Sequence, residues 1–254
     1  MTVEADEATA ALCAVWEHLL VAVPGAWARR QSGVMGALSG IALPTMNGVW
    51  PAPGEPEENT VATLLDEVAS SGMPYCLQAR PAFSARVQAL ATRRAMRMDG
   101  QIPLMILDRG DRLDHAQDVE DLAIRQLEPD EAVTHAVTAA RGFEAPEGPF
   151  LQLMTPDVLQ RPGTRCYVGE VGGDPVTTGL GVTLGQFVGI FNIATPPEHR
   201  GRGFGAAVTA RAVSDGLAHG AKRSFLQSSD AGYDVYRRLG FITLERWDCW
   251  VTSS

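Results

Sequence analysis

The sequence predicts an α/β protein, a mixed sheet flanked by helices and divided into two domains. Three observations lead there. At 254 residues the chain exceeds one typical domain and falls short of three. Strand-like and helix-like apolar runs interleave in both halves, the pattern of helices packed on a sheet. A glycine-rich turn, T-P-P-E-H-R-G-R-G-F-G-A from Thr195 to Ala206, stands between a strand-like run at Val188–Ala194 and a helix-like run at Ala206–Leu217.

In the N-terminal half the spacing of apolar residues predicts a helix over Thr60–Ser70, a strand over Met73–Ala79 and a helix over Ala82–Ala95. The polar stretch Asp108–Asp118, dense in Asp and Arg, sets the boundary between domains 1–118 and 119–254. Beyond it the reading is a strand at Leu122–Leu127, helical material at Asp130–Gly142 and Thr155–Gln160, and strands at Arg165–Val171, Val176–Leu184 and Val188–Thr195. Gly172, Gly173 and Pro175 mark a hairpin between the first two strands of that group. A helix at Gly205–His219, a strand at Lys222–Gln227, a helix at Ala231–Leu239 and a last strand pair around Phe241–Val251 complete the half. An ungapped shift of the C-terminal half by 149 positions places Leu226 and Gln227 on Leu77 and Gln78, Val213 on Leu64, and Leu239 on Leu90. The N-terminal half therefore reads as a degenerate repeat of the C-terminal one.

The net charge of −9 argues against nucleic acid or an anionic membrane as partner, because the long-range field repels polyanions. Cys13, Cys76, Cys166 and Cys249 show no metal-ligand or disulfide-framework spacing, and the five histidines show none either, so no metal is expected. The acidic N-terminus is unlike a signal peptide and no apolar run reaches membrane-spanning length, which predicts a cytoplasmic protein.

A strand, a glycine turn and a helix start gather unpaired backbone N–H groups and a positive helix end around one concavity, a site for phosphate or pyrophosphate. The full dinucleotide fingerprint is missing, because its third glycine falls on Ala206 or Val208, and no Gly-Lys-Ser/Thr occurs to make a Walker loop. A second segment follows at Val235-Tyr-Arg-Arg-Leu-Gly-Phe241. Together P-P-E-H-R-G-R-G-F-G and V-Y-R-R-L-G-F resemble the two signature segments of the GCN5-related N-acetyltransferase (GNAT) superfamily, and Phe191–Ala194 resembles the strand before the first. The resemblance covers residues 119–254.

It implies the acyl-CoA N-acyltransferase fold, in two tandem GNAT-like domains if the N-terminal half is a repeat, with acetyl-CoA as cosubstrate. The implied binding set is Ile193, Ala194, Thr195, Arg200, Gly201, Arg202, Gly203, Phe204, Gly205, Ala206 and Ser229. Within it the loop cradles pyrophosphate, and the main chain of Ile193 and Thr195 pairs with the pantetheine arm as an added strand. A main-chain N–H near Ala194 polarises the thioester carbonyl. Thr195 stands where the family commonly has an apolar residue. Tyr236 is the implied catalytic acid, donating a proton to the leaving thiolate. No base emerges: Val188–Thr195 contains no acid, Glu198 reads as structural and Asp230 as a helix N-cap.

The expected activity is N-acetyl transfer from acetyl-CoA to a primary amine, small molecule or peptide, by direct attack in a ternary complex. A noncatalytic acyl-CoA-binding regulator is the alternative. In the N-terminal half the shift places Pro51–Glu58, rich in proline and glutamate, on the loop, and Val87 on Tyr236. That half is expected to act as scaffold, homodimer surface or acceptor wall, with Asn47–Trp50 as an exposed loop.

Overall fold

The computed structural model describes residues 2–108, 113 and 119–252. The remainder of the Asp108–Asp118 stretch, where the sequence places the domain boundary, lies outside the described residues. The chain forms two compact units, Met1–Leu104 with Thr243–Ser254, and Met105–Ile242. These limits differ from a division at residue 118 at both ends of the second domain.

In unit 1, helix α1 (Val3–Leu20) begins where the Thr2 hydroxyl accepts from the Ala5 N–H. Strands β1 (Trp27–Gln31), β2 (Val34–Leu38) and β3 (Asn47–Pro51) form an antiparallel meander. Helix α2 (Glu58–Ala69) then crosses over to β4 (Cys76–Ala79), which runs parallel to β3. After α3 (Ser84–Arg93) the chain enters β5 (Arg97–Asp108). The last strand, β11 (Ile242–Val251), pairs antiparallel with β4, Trp250 opposite Leu77. It is one strand, where the sequence suggested a pair. Leu64, Leu65 and Val68 of α2 repeat at helical spacing and are buried with Leu77, Val87, Leu90 and Trp250 as the core of the unit.

The Asn47–Trp50 segment is not an exposed loop. All of β3 is buried, and the Asn47 side chain accepts from the backbone N–H groups of Ser39 and Gly40 and donates to the carbonyls of Ile41, Leu43 and Pro74. An asparagine that signals a turn in sequence is here a fully satisfied core group. Arg80, also buried, forms a bidentate pair with Glu245 of β11 and a further pair with Asp6 of α1.

Unit 2 contains β6 (Ala123–Gln126), α4 (Ala132–Gly142), α5 (Glu147–Leu153), α6 (Pro156–Leu159), β7 (Thr164–Val171), β8 (Asp174–Leu184), β9 (Phe187–Ala194), α7 (Phe204–Ala218), β10 (Arg223–Gln227) and α8 (Asp230–Arg238). Glu128 and Glu131 form a capping box ahead of α4. The β7–β8 hairpin turns through Gly172 and Gly173, both at positive φ, as a two-residue primed turn requires. The sheet order is β6-β7-β8-β9-β10, followed by the Met105–Asp108 end of β5, and β9 and β10 are parallel. Met105 and Leu107 enter a core with Tyr167, Val188, Val208, Val213, Leu226 and Phe241. The fold class is therefore the expected mixed α/β arrangement.

Candidate active site

The site is built where β9 loses its neighbours. Its parallel pairing with β10 runs from Phe187 to Gly189 and stops, so Ile190–Ala194 has no ladder on that side. The packed rings explain the splay: Phe225 of β10 is fully buried, and Phe187 and Phe191 meet it edge to face at 6.0 Å each. On the other side the register with β8 shifts between Thr178 and Leu180, a bulge that places Asn192 at φ +50°. An asparagine tolerates that left-handed conformation better than its neighbours would. The end of β9 thus presents backbone groups along an open edge.

The loop that follows is held from α4. Arg200 donates through Nε to the Thr195 carbonyl and through Nη2 to the Gly142 carbonyl, and it pairs with Glu144 at 2.8 Å. Arg141 pairs with Glu198. The Glu198 carboxyl is held below its usual range by a backbone N–H and by Arg141, which makes it a poor proton acceptor. Gly201 and Gly203 adopt φ +76° and +83°, a conformation residues with a Cβ rarely enter. Gly203 is the N-cap of α7 and no side chain caps that helix, nor is there an acid in its first turn. The N–H groups at the start of α7 therefore have no side-chain competitor for an anion.

These elements border one cavity of about 750 Å³, within the size range of ligand sites. Ile193, Ala194, Thr195, Arg200, Gly201, Gly203, Phe204, Gly205, Ala206, Ser229 and Tyr236 all line it. Arg202 does not: its guanidinium stacks on the Phe204 ring at 4.6 Å. Arg200 reaches the rim with its donors directed to the loop and to α4. Ser229 is the N-cap of α8, accepting from the Gly232 N–H at 3.3 Å, so Asp230 is the first helical residue rather than the cap. Asp and Ser are near-equal caps and stand side by side here, so the sequence alone does not choose between them.

Tyr236 packs its ring edge to face on Phe241, and its hydroxyl has no hydrogen-bond partner among the described residues. Burial pushes its pKa up to about 12, so the phenol stays protonated across the physiological range. The cavity also takes Gly142, Phe143 and Glu144 from the end of α4, with His199, Val235 and Arg238. Sequence reasoning passed over the Gly142–Glu144 turn, which carries no motif. The polar break after an apolar helix was its only signal. Among the described residues no group of three or more His, Cys, Asp or Glu side chains is placed to hold a metal ion, and no helix is long and apolar enough to cross a membrane.

Residues 130–241 match the sequence profile of the Acetyltransferase (GNAT) family. This segment is a GNAT domain. Solved GNAT structures extend the likeness of fold to nearly the whole chain. A GCN5-related N-acetyltransferase from Kribbella flavida superposes with a TM-score of 0.69 at 19% identity, covering 97% of this chain and 96% of its own. One from Sphaerobacter thermophilus gives 0.60 at 17% identity over 89% of this chain and 75% of its own. A tandem GNAT protein from the clavulanic acid biosynthesis pathway gives 0.59 at 16% identity, covering 92% and 87%. No curated protein matches the sequence. The GNAT fold implies acyl-CoA-dependent acyl transfer, and the cavity described above lies within the matched segment.

Proposed function

We propose that the chain is an N-acetyltransferase that moves an acetyl group from acetyl-CoA to a primary amine, small molecule or peptide, by direct attack in a ternary complex. One observation carries the reading: an uncapped helix start, an open strand edge and a half-buried tyrosine whose phenol stays protonated border the same cavity. Coenzyme A needs each of them. The loop from Gly201 to Ala206 receives the pyrophosphate on backbone N–H groups. The main chain of Ile193 and Thr195 receives the amide-bearing arm as an added strand.

The amine nitrogen attacks the thioester carbon, and the developing oxyanion is met by a main-chain N–H near Ala194. As the C–S bond breaks, Tyr236 gives its proton to the sulfur; the amine's excess proton leaves to water, and the Tyr236 phenolate regains a proton from water before the next turnover. Unit 1 supplies no acyl-donor site and serves acceptor recognition or assembly. The test is release of free thiol from acetyl-CoA on addition of polyamines, amino acids, aminoglycosides and peptides, with the acetylated acceptor confirmed by mass spectrometry. Amine-dependent thiol release with at least one class is expected. Tight acetyl-CoA binding with no amine acetylated would favour the noncatalytic regulator instead.

A further inference from the structure

The end of β9 poses a mechanical problem. Pairing with β10 has ended at Gly189, and the register with β8, already shifted by the bulge, reaches its last pair at Thr178 and Ala194. A strand end held on one side only is a poor template for an added strand. Side chains take over where the ladder runs out. Thr177, fully buried on β8, donates its hydroxyl to the Ala194 carbonyl at 3.0 Å. Its Oγ1 also lies 2.9 Å from the Thr195 Oγ1. A hydroxyl has one proton to give, and that of Thr177 is committed to the carbonyl, so the Thr195 hydroxyl is the donor in the second contact. The Thr195 side chain is thereby turned toward β8, and the next carbonyl, that of Thr195, is held by Arg200 Nε at 3.2 Å.

We infer that Thr177 is a positioning residue for the acyl donor: its buried hydroxyl fixes the Ala194–Thr195 peptide against which the amide-bearing arm lies. The inference rests on the acyl-CoA reading of this cavity. Because a peptide unit is planar, fixing the Ala194 carbonyl also fixes the direction of the Thr195 N–H. The hydroxyl acts through the main chain and touches no substrate atom. It also accounts for Thr at position 195: an apolar side chain there would leave the Thr177 oxygen without its donor in a buried place.

The test compares two ligands on the full chain by titration calorimetry: acetyl-CoA, and adenosine 3′,5′-bisphosphate, which carries an anionic end and lacks the arm. Thr177→Val keeps the shape and removes the hydroxyl. It should weaken acetyl-CoA about tenfold and leave the bisphosphate within about twofold, while Thr177→Ser restores acetyl-CoA binding. Should the Val variant prove insoluble, Thr177→Ala carries the same expectation. Wild-type affinity for acetyl-CoA in the Val or Ala variant overturns the inference, and so does an equal loss for both ligands, which marks a merely structural residue. A wild-type chain that binds no acetyl-CoA overturns the acyl-donor reading itself, and this inference with it.

Discussion

The loop after β9 in unit 2 and the loop after β3 in unit 1 stand at the same point of the same element order, a strand followed by a crossover helix and a parallel strand. In unit 2 the loop carries two left-handed glycines into an uncapped helix without an acid in its first turn, and a cavity of about 750 Å³ lies beside it. In unit 1 the loop spends its donors on the chain itself: the Ala52 N–H goes to the Gly33 carbonyl at 2.9 Å and the Glu57 N–H to the Ser32 carbonyl at 3.2 Å. The β1–β2 turn is pressed so close that a Cβ on Gly33 would sit 2.3 Å from the Glu55 carbonyl oxygen. Glu58 occupies the first turn of α2, and Arg86 and Arg93 of α3 pair with Glu55 and Glu58. The two small cavities that border this loop hold about 10 Å³ each, enough for one water apiece. An anion nest is therefore a matter of donors left free as much as of glycine, and in the loop of unit 1 the Ala52 and Glu57 N–H groups are already engaged.

Three changes probe that contrast. The largest effect belongs to Tyr236→Phe, which keeps the ring on Phe241 and removes the proton donor. Turnover should fall by roughly 10²–10⁴ with acetyl-CoA affinity nearly unchanged, whereas Val87, its counterpart under the 149-residue shift, has no proton to lose. The raised Tyr236 pKa adds a pH signature. The phenol remains a donor up to about pH 10 and beyond, so its ionisation contributes no loss of kcat below that pH. For stability the sign is opposite to a salt-bridged acid. Between about pH 10 and 12 the unfolded phenol loses its proton before the folded one, so stability falls as pH rises through that window. A kcat limb near pH 8 that is lost in Tyr236→Phe would contradict this.

Next comes Gly48→Ala in β3, at φ +140°, where a Cβ would lie 1.9 Å from the Cys76 carbonyl oxygen. It should cost about 3 kcal/mol of unit 1 stability, read as a lower melting temperature, and leave acetyl-CoA affinity unchanged at temperatures where the chain is folded. Loss of binding by the folded variant would mean that unit 1 takes part in holding the cosubstrate. The smallest effect is that of Glu55→Ala. It breaks an exposed pair with Arg86 that contributes no more than about 0.5 kcal/mol, and it should create no second acetyl-CoA site, since the N–H groups of Ala52 and Glu57 stay engaged. Emergence of a second site in calorimetry would show that charge alone had closed unit 1.

The sequence carried more of the site than of the fold around it. The glycine loop, Tyr236 and the end of β9 were legible because their chemistry demands particular residues at fixed spacing, and they do line one cavity. Arg202 looked equally suited to phosphate, yet it stacks on Phe204, since sequence does not say which way a long side chain turns. Thr177 was invisible because a threonine in a strand is ordinary β-branched filling until its hydroxyl is seen to have a partner. The 149-residue shift holds from α2 to β4 and fails before it: β3 ends at Pro51, while its counterpart β9 ends at Ala194, because the loop of unit 1 is shorter. Compact limits were harder still. The last strand pairs with β4, and Met105 and Leu107 belong to the core of unit 2, so a fragment cut at residue 119 would leave two buried side chains behind. No local pattern reports such long-range pairing.

If one unit of two binds the acyl donor, the intact chain takes up a single acetyl-CoA, and the stoichiometry of binding reads this out. Titration calorimetry on the wild type and on Gly203→Asp reads it in one experiment, because the substitution adds a side chain at φ +83° and a negative charge where the pyrophosphate would lie. One site per chain is expected in the wild type, and no measurable binding heat in a folded Gly203→Asp. Two sites per chain, or wild-type affinity in Gly203→Asp, would contradict it.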